Sequence, residues 1–181
     1  MIVLGIETTC DETAVAIVRD GKEIVSEKIA SSADIHAQYG GVFPELACRR
    51  HLEAIIPVLT EVLGAAKVSV DSIDAVAFAK EPGLIGALLI GMQTAEGLSI
   101  AWNKPCIPVN HVEAHLYASA MSSELPIELP ALGLVLSGGH TLLVTIEAPW
   151  VVKPLATTVD DAIGEAFDKV AVLLGYRYPG G

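Results

Sequence analysis

Charge is scarce in this sequence, and positive charge is scarcer. Only 18% of its 181 residues are charged, with 11 Lys and Arg against 22 Asp and Glu, giving a formal net charge of −11. So acidic a chain offers no broad basic surface for nucleic-acid phosphates, and any such partner would need cationic groups from another part of the protein or a second chain. Cysteine is equally sparse. Cys10, Cys48 and Cys106 are odd in number and too far apart for a C-x-x-C pair, which excludes a disulfide framework. Met1 leads straight into Ile2-Val3-Leu4, with no basic segment and no small-residue cleavage site, so no secretory leader is expected and the location read from the sequence is cytoplasmic. The longest apolar stretch, residues 83–102, is interrupted by Gln93, Glu96 and several glycines; it reads as a small-residue helix packed inside protein rather than a membrane span.

Apolar side chains are abundant. At 52% hydrophobic, the chain has ample material for a core and is not a disordered segment. With so little charge, either a sheet is covered on both faces or some surface belongs against a partner.

The order of elements follows from periodicity. Ile2 to Glu7 reads as a buried strand and Thr13 to Arg19 as a second. Asp20-Gly21 is a type I′ hairpin signal, and Glu23 to Ala30 pairs back as a third strand. Pro44 suits the first turn of a helix, and Leu52, Ile55, Ile56, Leu59 and Leu63 recur at helical spacing up to a stop near Gly64. Strand Ile73 to Ala79, helix Leu84 to Trp102, strand Pro105 to Asn110 and helix Val112 to Met121 follow. Three strands in a meander, then helix, strand, helix, strand, helix is the order of an α/β, ribonuclease H-like domain with a mixed sheet.

The pattern then restarts. Ala131 to Leu136, His140 to Glu147 and Val151 to Thr157 read as three strands, and Asp160-Asp161 opens a helix through Leu174 with Gly175 as its stop. The expected organisation is one ribonuclease H-like domain over residues 1–125 and the beginning of a second, truncated one over 126–181, with the natural chain continuing past Gly181. Two such halves facing each other would make the cleft of the actin, hexokinase and Hsp70 superfamily (the ASKHA fold). The polar turns Thr8 to Thr13 and Ser137 to Thr141 would point into it. Ser137-Gly138-Gly139 could be a phosphate cradle, because glycine lets backbone N–H groups approach an anion; taken alone, the motif more often marks a tight hairpin turn.

His111 and His115 lie four apart on a helix, hence on one face and within reach of one metal ion. They follow a strand directly, where α/β folds commonly place ligand residues. The alternative is two unrelated polar residues at a helix start. The sequence is not the H-E-x-x-H of zinc proteases, since Glu113 falls two residues after His111, roughly 200° around the helix. Asp160, Asp161, Glu165 and Asp168 cluster at the last helix. The first two suit a helix N-terminus, whereas Asp168 lies deeper and is a candidate to hold a ligand.

Several motifs, in order, resemble the tRNA N6-adenosine threonylcarbamoyltransferase family, formerly labelled glycoprotease or O-sialoglycoprotein endopeptidase. They are Gly5 to Thr13, Tyr39 to Ala47, Pro82-Gly83-Leu84, His111 to His115, Leu136 to Thr141, Asp160 to Lys169 and Tyr178 to Gly181, so the resemblance spans the whole chain. It implies transfer of a threonylcarbamoyl group from threonylcarbamoyl-AMP to the exocyclic amine of the tRNA adenosine 3′ of the anticodon. It further implies His111 and His115 as ligands of one divalent metal ion, iron or zinc, with a third ligand, an aspartate, outside this chain. Val135, Leu136, Ser137, Gly138, Gly139, Asp168 and Gly181 match positions that hold the adenylate. Implied partners are tRNA, a paralogous protein of the same fold (TsaB-like) and a small ATPase (TsaE-like), which would answer the shortage of basic charge. Two competing readings are a metallopeptidase, the old family label, and a non-catalytic scaffold, which would be expected to lack the histidine pair. The truncated chain is expected to be inactive alone and prone to self-association. Glu81, where the family usually has glycine, and Glu96, where a basic residue is common, depart from the pattern away from the metal and adenylate motifs.

Overall fold

The structure is a computed structural model and describes all residues except 37, 38, 40, 123–126, 150, 177, 178 and 181. Its described residues form two compact units, Met1–His111 and Val112–Gly181.

In the first unit, strands β1 (Ile2–Glu7), β2 (Glu12–Arg19) and β3 (Glu23–Ser31) form the expected antiparallel meander. Asp20 (φ 52°) and Gly21 (φ 69°) make the β2–β3 turn, both in the left-handed region that a type I′ turn requires. A four-residue helix, α1 (Ala33–His36), was not foreseen; the long helix α2 (Pro44–Ala66) follows. α2 runs past Gly64, the expected stop, and ends where Lys67 turns left-handed at φ 53°. β4 (Ala75–Glu81), α3 (Ile85–Trp102) and β5 (Cys106–Asn110) complete a sheet of order β3-β2-β1-β4-β5, with β1, β4 and β5 parallel. This mixed order is the ribonuclease H-like arrangement the element pattern predicts.

Register explains the core. Leu4 pairs with Ile17 and Val76, and Ile6 with Val15 and Phe78, so all six side chains share one face of the sheet. They pack with Ile55, Val58, Leu59 and Val62 of α2 and Ala95 of α3. α3 approaches closely because its facing residues are small: Ala87, Gly91 and Ala95 are buried. A Cβ on Gly91 would stand 2.4 Å from the Thr8 hydroxyl. By length and composition α3 could cross a membrane, but this face is committed to the sheet, while Ile85, Leu89 and Ile100 are exposed. Glu81 and Glu96, the departures from the family pattern, are solvent-exposed.

The second unit holds the antiparallel sheet β6 (Ala131–Leu136), β7 (Thr141–Ala148) and β8 (Val151–Thr157), with helices α4 (His111–Ser122) and α5 (Ile163–Leu173). The units divide at the first residue of α4 because Val112 and Leu116 pack on Val135 and Val144 of the second sheet. Gly133 admits this contact, since a Cβ there would stand 2.8 Å from both Leu116 and Val144. α5 ends as anticipated, with Gly175 left-handed at φ 79°.

Candidate functional site

Parallel pairing of β1, β4 and β5 brings their C-terminal ends to one edge of the first sheet, where Glu7, the Pro82-Gly83 loop and His111 sit together. β4 separates β1 from β5, so the backbones of Glu7 and His111 stand about 9–10 Å apart, two strand spacings. Their side chains span the gap: His111 Nδ1 lies 2.9 Å from Glu7 Oε2. The second oxygen of Glu7 accepts the Thr9 N–H. Burial pushes the Glu7 carboxyl up, but the hydrogen bonds from His111 and Thr9 outweigh it and hold the group below its ordinary value. Glu7 is therefore ionised at neutral pH.

The turn holding Glu7 is itself braced. Thr8 is buried and donates its hydroxyl to the Ala87 carbonyl at 2.8 Å, and the Thr9 carbonyl accepts the Leu84 N–H at 2.8 Å. A Cβ on Gly83 would stand 2.7 Å from the Thr9 carbonyl oxygen, so glycine is required for this approach. Cys10, next along, is exposed, yet partial desolvation first and then the carboxylates of Asp11, Glu7 and Glu12 push its thiol up to about 12. It is not an activated nucleophile.

His115 lies one turn beyond His111 on α4 and is exposed; Val112 and Leu116, each one residue later, form the adjacent row that is buried in the second unit's core. Glu113 is half-buried on a different side of the helix. Among the described residues no group of three or more His, Cys, Asp or Glu is gathered to hold a metal ion.

The remaining candidates belong to the second unit. Ser137 closes a tight turn at the end of β6: its N–H donates to the His140 carbonyl at 2.8 Å, and its hydroxyl oxygen accepts the His140 N–H at 3.0 Å. Gly138 and Gly139 are exposed, with nothing within 4 Å of a Cβ at either position. Gly164 presses α5 against this turn, where a Cβ would stand 2.6 Å from the Ser137 carbonyl oxygen. The helix's first N–H groups are spent on fixing it: Ile163 donates to the Thr141 hydroxyl and Gly164 to the Ser137 carbonyl. The motif is a tight turn with its two glycines facing open space. Val135 is buried in the core and offers a ligand no side chain, whereas Leu136 is exposed. Asp168 accepts the Gly180 N–H at 2.8 Å, tethering the segment that leads to Gly181, which lies outside the described residues. Asp161 and Glu165 are paired with Lys169 at 2.7 and 3.1 Å, so a solvent-exposed ion network accounts for those two acids.

Sequence reasoning missed the role of Glu7 in the His111 environment. The two residues are 104 positions apart, and nothing local in either motif signals the contact.

The comparisons agree with this architecture. The Pseudomonas aeruginosa protein YeaZ superimposes with a TM-score of 0.53 at 18% identity, over 86% of this chain and 66% of that one. A ROK hexokinase from Thermus thermophilus does so with a TM-score of 0.52 at 18% identity, over 91% of this chain and 52% of that one. These likenesses show the fold, the ASKHA form of the ribonuclease H-like arrangement. A relative from Protochlamydia amoebophila, named tRNA N6-adenosine threonylcarbamoyltransferase, is 59% identical over 100% of this chain and 53% of its own length. The chain spans about half the length of the curated relatives it matches. The family model for tRNA N6-adenosine threonylcarbamoyltransferase matches residues 23–181, and the chain belongs to that family.

Proposed function

We propose that this protein transfers the threonylcarbamoyl group from threonylcarbamoyl-AMP to the exocyclic amine of the tRNA adenosine 3′ of the anticodon. The observation that carries the reading is the family match over residues 23–181. The local geometry supports it. His111 and His115 would hold one divalent cation, iron or zinc, with a further ligand from outside this chain. The donor chemistry fits: neutral imidazole nitrogens are common ligands of both metals. A cation bound there supplies Lewis acidity toward a phosphate and a carbonyl. The Ser137-Gly138-Gly139 backbone would cradle the adenylate phosphate, and Asp168 with Gly181 would help to hold the nucleotide or the threonyl hydroxyl. Glu113 does not share the histidine face, which argues against a thermolysin-like peptidase.

Partners follow from charge. With 11 basic residues against 22 acids, tRNA needs cationic surface from elsewhere, and a paralogous partner of the same fold with a small ATPase would provide it. The cytoplasm suits such an assembly, and the three cysteines are free thiols.

The test reconstitutes full-length protein with its partner, the ATPase, tRNA, threonine, bicarbonate and ATP, and detects the modified adenosine by mass spectrometry of digested tRNA. His115→Ala is expected to lower transfer by on the order of 100-fold while leaving the fold intact. Transfer at the wild-type rate by this variant would sink the reading. The 181-residue chain alone is expected to give no product.

A further inference from the structure

We propose that Glu7 is a positioning residue for His111, fixing both the tautomer and the direction of that imidazole as a metal ligand. The inference rests on the reading of His111 as a ligand but concerns a residue that reading does not include. Imidazole can present either nitrogen, and the protein chooses by what it offers the other one. Here Nδ1 lies 2.9 Å from Glu7 Oε2, and an ionised carboxylate is an acceptor only, so the ring proton resides on Nδ1. The lone pair is then on Nε2, and the adjacent negative charge makes that nitrogen the better donor to a cation.

Glu7 can hold the ring still because it is held itself. Its Oε1 accepts the Thr9 N–H, and Thr9 is pinned through its carbonyl to Leu84. Thr8 is buried and tied to Ala87 at the start of α3. The brace thus runs from α3 through the β1 turn to a carboxylate at the sheet edge, and from there to the first residue of α4. The carboxylate and imidazole are largely shielded, at 33% and 22% side-chain exposure, so water competes poorly for the contact.

Two measurements on full-length protein test this. In the first, competition titration with a chromophoric chelator gives the Zn(II) affinity of wild type, His111→Ala, Glu7→Ala and Glu7→Gln. Loss of a carboxylate that supports a ligating histidine commonly weakens binding about 10–100-fold, and Glu7→Ala should do so. Glu7→Gln keeps an oxygen that accepts the Nδ1 proton and should recover most of the loss. If His111→Ala binds zinc as tightly as wild type, the ligand reading itself fails. If His111→Ala loses affinity and Glu7→Ala does not, the ligand reading stands and this inference is overturned. The second measurement needs no metal: long-range ¹H–¹⁵N correlation of the imidazoles in the metal-free wild type and in Glu7→Ala. A His111 ring protonated at Nδ1 in the wild type, shifting toward a tautomer mixture in Glu7→Ala, is the expected result. A ring protonated at Nε2 in the wild type overturns the proposal.

Discussion

The two units use the same opening, a three-stranded antiparallel meander, and finish it differently. In Met1–His111 the meander gains two parallel strands, and the face bearing Leu4, Ile6, Val15 and Ile17 is closed by α2 and α3. Among the described residues of Val112–Gly181 the meander stays at three strands. Its face bearing Gly133, Val135 and Val144 meets α4, while Leu132, Leu134 and Leu136 on the alternate positions of β6 are exposed at 70%, 59% and 53%. A strand apolar on both faces is a strand made to be covered on both. The difference teaches where the low charge content goes: the first unit closes a large core on one face of its sheet, and the second leaves the alternate face of β6 apolar and exposed.

The sharpest way to break that comparison is to damage each unit equally. Ile17 is 0% exposed at the centre of the first core. Ile17→Ala should cost about 2–5 kcal/mol in urea denaturation, the range for removing a large buried aliphatic side chain. A cost under about 1 kcal/mol would mean that this core is loosely packed. Gly133 probes the small core of the second unit. Gly133→Ala drives a methyl toward Leu116 and Val144, and should cost about 1–3 kcal/mol by overpacking. No change in stability would show that α4 does not press on β6.

Much of this was legible in the sequence, for identifiable reasons. The strands were readable as short apolar runs bounded by turn residues, α2 by its apolar residues at helical spacing, and Asp20-Gly21 by its one favoured turn. Gly64 misled: glycine often marks a helix end, but here α2 continues through it and Lys67 adopts the left-handed cap. The four residues of α1 were too short to carry a period. Among the candidate residues, the turn from Ser137 to His140 could be read because it is contiguous, and the shared helix of His111 and His115 because of their spacing. Glu7 could not, because its meeting with His111 depends on the β1-β4-β5 register. Nor could His36 and His51, which are buried at 0% and 1% exposure among residues that look like loop and helix surface.

His51 gives a smaller effect with a defined direction. It lies 2.8 Å from the Thr13 hydroxyl and 3.1 Å from the Cys10 carbonyl, tying α2 to β2 and to the turn before it. Burial lowers its pKa, outweighing the Cys10 carbonyl and the Glu7 and Asp11 carboxylates, which favour the charged ring. The unfolded chain therefore binds a proton near the ordinary value of 6.5 that the folded chain resists. Stability should be fully present above that pH and decline as pH falls through it. Denaturation at pH 7.5 and 5.5 should show the first unit weakened at the lower value, and His51→Gln should flatten the difference while lowering stability at both. An unchanged slope in that variant would remove His51 as the cause.

The smallest effect on stability is expected where the second unit is most open. Leu134 is 59% exposed and opposes Leu143 across the β6–β7 ladder, on the face away from Val135. Replacing it by lysine removes little buried area, so Leu134→Lys should change the unfolding free energy by no more than about 0.5 kcal/mol. Its effect on association should be larger. An apolar face bounded by strand edges favours burial against a second copy, and a lysine at its middle must be desolvated for that contact to form. Sedimentation velocity over a concentration series should show the 181-residue chain self-associating, and Leu134→Lys should raise the midpoint concentration about tenfold, a shift worth about 1.4 kcal/mol. Ile29→Lys, at a 53% exposed position on β3 of the first unit, is the control and should leave association nearly unchanged. If the two lysines act equally, the open face is not confined to the second unit. If neither acts, its exposed leucines do not drive assembly.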